Sequence, residues 1–269
     1  MKKKVLSIAI ATTLILGLVA LTGCGSSKEE AKEKKTIVVG ATPEPHAEIL
    51  KKLNLFRKKG YTLEIKEFTD YVTPNTALQD GEIDANFYQH IPYLEEFNKE
   101  KKTDLSYTVK VHLEPMGVYS KTIKDLKELK NGATISIPSD PTNGSRALRL
   151  LEKEGIIKLK EGELVSKIDI IKNPKNIKVE ELDAAQLPRT LGDVDAAVIN
   201  TNYAVPANLN PLKDALAIES KDSPYANVIV VKTENKNAEY IKALDEAINS
   251  EEIKKYIEEQ YKGAILPAF

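Results

Sequence analysis

Four polar side chains stand out for what they could do together. Arg146 follows Asn143-Gly144, Asn200 and Asn202 follow the apolar run Ala196-Ala197-Val198-Ile199, and Asn227 precedes Val228-Ile229-Val230-Val231. A guanidinium can hold a small carboxylate in a two-donor fork, and carboxamides can meet its remaining oxygen and an ammonium. Asparagine at a strand end also serves simply as a turn residue. Aromatic residues crowd the same regions of a chain that is only 6% aromatic: Tyr71, Phe87, Tyr88, His90 and Tyr93. Such rings can enclose an unbranched apolar side chain. Consecutive strand residues point to opposite faces, so one of Phe87 and Tyr88, and Tyr93 with it, is expected in the core.

Other chemistry finds less support. There is no phosphate-cradling glycine loop, no GxSxG elbow and no HExxH pair. Ser139, Ser145 and Ser166 lack partners that would activate a nucleophile, so no enzyme and no cofactor are expected. His46, His90 and His112 could form a three-imidazole metal site with a carboxylate, but none lies in a tight ligand motif. Structural or ligand-facing histidines fit better, and no metal site is assigned. With 39 basic and 40 acidic residues the charge is nearly balanced, against a protein built to grip nucleic acid.

The elements that must position these groups begin after an unusual amino terminus. Lys2-Lys3-Lys4 precedes the uncharged run Val5–Leu21, which at 1.5 Å per residue spans roughly 25 Å, short of a bilayer core. A basic start, short apolar core and small-residue exit read as a secretory signal over residues 1–23. Its exit, Leu21-Thr22-Gly23-Cys24, resembles the lipobox of bacterial lipoproteins and ends on the only cysteine of the chain. The resemblance implies cleavage before Cys24 and a lipid on its thiol. Removing the three lysines leaves 36 basic against 40 acidic residues. Residues 24–35 are small and charged and read as a tether.

The body alternates strands and helices, as in an α/β sandwich. Strands are expected at 36–40, 61–68, 83–87, 108–119, 133–137, 196–199 and 225–231, with short extended pieces at 168–170 and 177–179. Helices are expected at 46–59, 74–80, 91–101, 146–153 and 188–191, with one long helix at 237–259 and a turn at Asn143-Gly144. The last strand and helix have no early partner in the second half. This predicts one lobe from 36–120 plus 228–269 and a second from 121–227. Gly81-Glu82-Ile83-Asp84-Ala85 is echoed by Gly192-Asp193-Val194-Asp195-Ala196, which suggests related lobes whose strand ends carry a ligand.

Five ordered stretches carry a closer resemblance: Phe68–Asn75, Asp84–Leu94, Ile137–Leu148, Asp195–Ala204 and Ser223–Val230. Together they are similar to the methionine-binding lipoproteins of NlpA type that feed ABC importers. The resemblance implies a two-lobed periplasmic-binding-protein-like fold (type II), each lobe a mixed β-sheet flanked by helices. It implies that Arg146 binds an amino-acid carboxylate, that Asn202 and Asn227 hold ammonium and carboxylate, and that Tyr71, Phe87, Tyr88 and His90 wall in a thioether. The implied partners are methionine or a close analogue, a permease and an ATPase, and the membrane through the lipid on Cys24. The implied place is the outer face of the cytoplasmic membrane. D-methionine, a derivative, a methionine-containing dipeptide or another apolar amino acid are alternative cargoes. A surface adhesion or signalling lipoprotein is the alternative of a different class.

Overall fold

Residues 34–269 are described by a computed structural model; the expected signal segment, Cys24 and most of the tether lie outside them. The strands run in chain order as β1 (Thr36–Ala41), β2 (Thr62–Glu67), β3 (Ala85–His90), β4 (Leu105–Leu113), β5 (Gly117–Tyr119), β6 (Thr134–Pro138), β7 (Lys158–Leu159), β8 (Ile170–Lys172), β9 (Lys178–Leu182), β10 (Ala196–Ile199), β11 (Ala217–Ile218), β12 (Ala226–Lys232) and β13 (Leu266–Pro267). They form a six-stranded mixed sheet ordered β13-β4-β12-β3-β1-β2 and a five-stranded mixed sheet ordered β11-β5-β10-β6-β9, while β7 and β8 pair separately. Five longer helices cover the sheets: α1 (Thr73–Asp80), α2 (Ile91–Lys101), α3 (Pro141–Lys153), α4 (Glu239–Ile248) and α5 (Glu251–Tyr261). No helix among the described residues is long and apolar enough to cross a membrane.

Each sheet buries its own core. Ile37, Val39, Phe87, Ile229, Leu244 and Ile257 belong to one cluster of the first lobe, and Val118, Ile135, Leu148 and Val198 to one of the second. The chain passes between sheets twice, at Glu114–Met116 after β4 and at Glu219–Tyr225 before β12. The two crossovers are tied to one another, since the Glu219 N–H donates to the Met116 carbonyl at 2.9 Å.

Local physics explains where the elements differ from the sequence reading. The expected strand 108–119 is two strands in different sheets, parted at Glu114-Pro115-Met116, because Pro115 has no N–H to offer a ladder. The expected helix 46–59 is broken at Lys52-Leu53 into Glu48–Lys51 and Asn54–Lys58, an arrangement that keeps Leu50, Leu53 and Phe56 all buried. The long terminal helix is α4 and α5, because Ser250 caps a new helix by accepting from the Ile253 N–H.

Asn143-Gly144 is not a turn but the first turn of α3. Asp140 caps that helix, accepting from the Asn143 N–H at 2.9 Å, and Pro141 supplies a preset φ at its start. A Cβ on Gly144 would lie 2.8 Å from the Pro138 carbonyl oxygen, so glycine here serves close packing of helix on strand.

The pentapeptide echo has a structural counterpart. Asp84 and Asp195 each precede a strand and accept from a neighbouring strand's backbone N–H, Val38 at 2.9 Å and Thr134 at 2.8 Å. Each returns its own N–H to that same residue's carbonyl, at 2.8 and 3.0 Å.

Candidate functional site

The carboxyl ends of β3 and β10 meet the beginning of β12, where Asn227 pairs with His90 on one side and His112 on the other. The two sheets thus turn their ligand-bearing ends towards one another. Between them lies a narrow cleft. Tyr71, Tyr88, His90 and Tyr93 line it from the first lobe, and Asn143, Arg146, Asn200 and Asn202 from the second. Gln89, Glu114, Thr201 and Asn227 complete the lining.

Arg146 is held from three directions. Its Nε donates to Glu219 Oε1 at 2.9 Å and its Nη2 to Glu219 Oε2 at 2.5 Å. Nη2 also donates to the Glu114 carbonyl at 2.7 Å, and the guanidinium lies 4.3 Å from the centre of the Tyr225 ring. The side chain is only 4% exposed, yet Nη1 has no hydrogen bond among the described residues. A bound, desolvated guanidinium with one amino group to spare is prepared for an anion.

Amides surround it. Asn202 Oδ1 accepts from the Tyr71 hydroxyl at 2.5 Å, and its Nδ2 is buried without a partner. Asn200 Nδ2 donates to Asn143 Oδ1 at 2.8 Å, and its Oδ1 is likewise buried and unpaired. One unmet donor and one unmet acceptor in a single small cleft suit a ligand bearing both kinds of group. Asn227 Oδ1 lies 3.1 Å from His46 Nε2.

The aromatic wall is a cluster of tyrosines. Tyr71, Tyr88 and Tyr93 stand with ring centres 5.9–6.1 Å apart. Tyr88 and Tyr93 both donate their hydroxyls to the Tyr71 carbonyl at 2.8 Å, fixing the loop that carries Tyr71. Burial pushes the Tyr71 and Tyr88 phenols well above their ordinary range, so they remain neutral donors. His90 accepts from the Tyr93 N–H at Nδ1 and donates from Nε2 to Asn143 at 3.1 Å. Burial first, and Arg146 second, lower its pKa to about 3. Beneath these residues Asn75, Asn86 and Gln89 exchange side-chain hydrogen bonds of 2.6–2.9 Å, anchoring β3 to α1.

Of the ligand-facing residues read from sequence, Tyr71, Tyr88, His90, Arg146, Asn202 and Asn227 line the cleft. Phe87 does not. It is wholly buried on the other side of β3, edge-on to His46 at 4.6 Å and to His112 at 5.3 Å. The alternation of the strand sends Tyr88 to the cleft side and Phe87 to the core. Tyr93, expected in the core, packs against Phe97 but also lines the cleft. Glu114 and Thr201 carried no local signal, because each gains its place only when the crossover or the lobe closes around it.

The three histidines are not brought together. His46 and His112 lie with Glu114, their potential ligand atoms within 4.8 Å of one another, whereas His90 faces Asn143.

Comparison with known proteins decides the lineage. The profile of the NlpA lipoprotein family matches residues 37–269, nearly the whole described body. This chain belongs to that family. It is 43% identical over 253 residues to the D-methionine-binding lipoprotein MetQ of Salmonella typhi, covering 93% of each chain. It is 47% identical over 258 residues to the methionine-binding lipoprotein MetQ of Bacillus subtilis, covering 92% of this chain and 93% of the relative. A nutrient-binding protein from Burkholderia cenocepacia, solved bound to methionine, superposes with a TM-score of 0.85 at 46% identity, covering 87% of this chain and 100% of that one. These NlpA relatives are binding proteins rather than enzymes, and their two-lobed α/β fold is the fold seen here.

Proposed function

We propose that this protein is an extracytoplasmic receptor that captures methionine and hands it to an ABC importer. The observation that carries this reading is the buried Arg146 with Nη1 unbonded, set beside the unpaired Asn202 Nδ2 and Asn200 Oδ1 and facing three tyrosines. The ligand carboxylate meets Arg146 Nη1 and the Asn202 and Asn227 amides. The thioether lies against Tyr71, Tyr88, Tyr93 and His90, where burial contributes roughly 1.5–3 kcal/mol and each sulfur–ring contact roughly 0.3–1.5 kcal/mol. The names and the bound methionine of the relatives support the same cargo.

Capture closes one lobe on the other. The lobes divide at the two crossovers, Glu114–Met116 and Glu219–Tyr225, and three cross-cleft hydrogen bonds support a closing motion about them. Tyr71 donates to Asn202, His90 to Asn143, and Tyr203 to the Thr69 carbonyl at 3.1 Å. A ligand that bridges the lobes favours the closed shape, which the permease then recognises. The lipid on Cys24 keeps the receptor at the outer face of the membrane.

Calorimetric titration of ligand-stripped protein with L- and D-methionine tests the cargo. Tight binding of at least one isomer is expected, and a folded protein that binds neither overturns it. Co-purification with a permease and an ATPase tests the delivery step.

A further inference from the structure

Holding the ligand carboxylate leaves the ammonium to be accounted for, and the amides are poorly placed to do so. The Asn202 and Asn227 carbonyl oxygens already accept from Tyr71 and His46, which leaves each one further lone pair for an ammonium. An ammonium has three donors and needs acceptors. Among the cleft-lining groups, Asn200 Oδ1 is one. The other acceptor of consequence is Glu114, on the first crossover, whose side chain is 6% exposed and lines the cleft.

Among the described residues, no lysine or arginine hydrogen-bonds the buried Glu114 carboxylate. Its Oε1 accepts from His112 Nε2 at 2.6 Å, and His46 Nε2 lies 3.3 Å away. Both imidazoles are wholly buried, which lowers their pKa values to about 3 and about 4, so they are neutral N–H donors. His46 Nε2 faces the Asn227 Oδ1 acceptor at 3.1 Å and so carries the proton, and the Thr42 hydroxyl then donates to Nδ1 at 2.7 Å. Arg146 donates to the Glu114 carbonyl and to the Glu219 carboxylate. Its charge also favours the ionised Glu114 side chain, as does a hydrogen bond from the Asn202 backbone, but the guanidinium makes no hydrogen bond to that side chain. An anion buried without a cation is costly unless it is protonated or a cation arrives. Burial does raise the Glu114 carboxyl above its ordinary range.

We infer that Glu114 is the counter-charge for the ligand's ammonium, held at the cleft floor by His112. The inference rests on the amino-acid-receptor reading above and deepens it. Arg146 and Glu114 then read the two ends of a zwitterion, and both belong to or touch the same crossover. His112 is a positioning residue: its N–H fixes one Glu114 carboxylate oxygen at 2.6 Å, while the His46 N–H is taken by Asn227 and lies only near that oxygen.

The test compares L-methionine with 4-(methylthio)butanoate, which has the same thioether and carboxylate but no ammonium. Calorimetry on the wild-type protein and on Glu114→Gln is expected to show methionine affinity falling at least about 30-fold, with the des-amino ligand changed by less than about 3-fold. Should glutamine at this buried position yield no folded protein, Glu114→Asp carries the same test. It retains the charge but draws it back, so it is expected to weaken methionine selectively and by less. Equal losses for both ligands, or no loss for methionine, overturn the inference. A methionine affinity abolished by a chelator and restored by Zn²⁺ also overturns it, because His46, His112 and Glu114 would then be metal ligands. A wild-type protein that binds neither ligand instead refutes the cargo reading, so the two failures are distinct.

Discussion

Glu219 lies against the Nε–Nη2 edge of Arg146, its two oxygens accepting at 2.9 and 2.5 Å, while its own N–H bonds the Met116 carbonyl of the other crossover. The arginine that faces the cleft is therefore fastened to both segments that pass between the sheets. Nη1 is the part of the guanidinium left for a ligand.

Arg146→Ala should weaken methionine binding by about 100-fold or more, since it removes a charge-assisted contact and leaves Glu219 without its cation. Glu219→Gln should keep Arg146 charged but loosen it, with a smaller loss of roughly 3- to 10-fold. Calorimetric affinities of the two variants check the order, and a Glu219→Gln loss as large as that of Arg146→Ala would show that Glu219 does more than position.

Tyr71→Phe retains the ring and removes only the hydroxyl that reaches Asn202 across the cleft. A net loss of about 1 kcal/mol is expected, about 5-fold in affinity, with the thermal midpoint of the ligand-free protein nearly unchanged. Small-angle scattering should show the ligand-free variant more open than the wild type.

Gly144→Ala places a methyl group 2.8 Å from the Pro138 carbonyl, against backbone that cannot rotate away. The start of α3 must shift, carrying Arg146 with it. Stability should fall by about 1–3 kcal/mol in urea denaturation, and methionine affinity should fall too.

Asp84→Ala and Asp195→Ala each remove the carboxylate that accepts a strand N–H, one in each sheet. Each should cost about 1–3 kcal/mol, and the double variant should lose nearly the sum, because the sites share no partner. Chemical denaturation of both single variants and the double reads this directly.

Acid should destabilise the protein through its histidines. Burial lowers His46 to about 4 and His90 and His112 to about 3, from an ordinary value of 6.5. Between those values the unfolded chain binds protons that the folded chain refuses. Stability is therefore present above about pH 6.5 and is lost as pH falls towards the folded values, by up to about 1.4 kcal/mol per pH unit for each histidine. Glu114, Asp140 and Asp245 are raised by burial, the last to about 6, and so oppose the trend. Thermal midpoints from neutral pH downwards should fall, and His112→Gln should flatten the slope.

Much of this was legible in the amino-acid order. Hydrophobic spacing located β1, β2, α1, α2 and β10 to within about two residues, and the polar residues after Ile199 and before Val228 do lie at strand ends facing one cleft. Breaks inside longer patterns were harder to see. Pro115 and Ser250 carried real signals, but each competed with an apolar period that continued past it.

Sequence by itself determined the residue types a small ligand could meet and the order in which the elements present them, since both depend on side-chain chemistry and local periodicity. Only the tertiary structure decided that Tyr88 rather than Phe87 faces the cleft, that Glu114 is buried in its lining, and that Glu219 pairs with Arg146. A glutamate on the surface and a glutamate under a crossover have the same formula. What separates them is lost water and the partner that replaces it, and both are set by segments far apart in the chain.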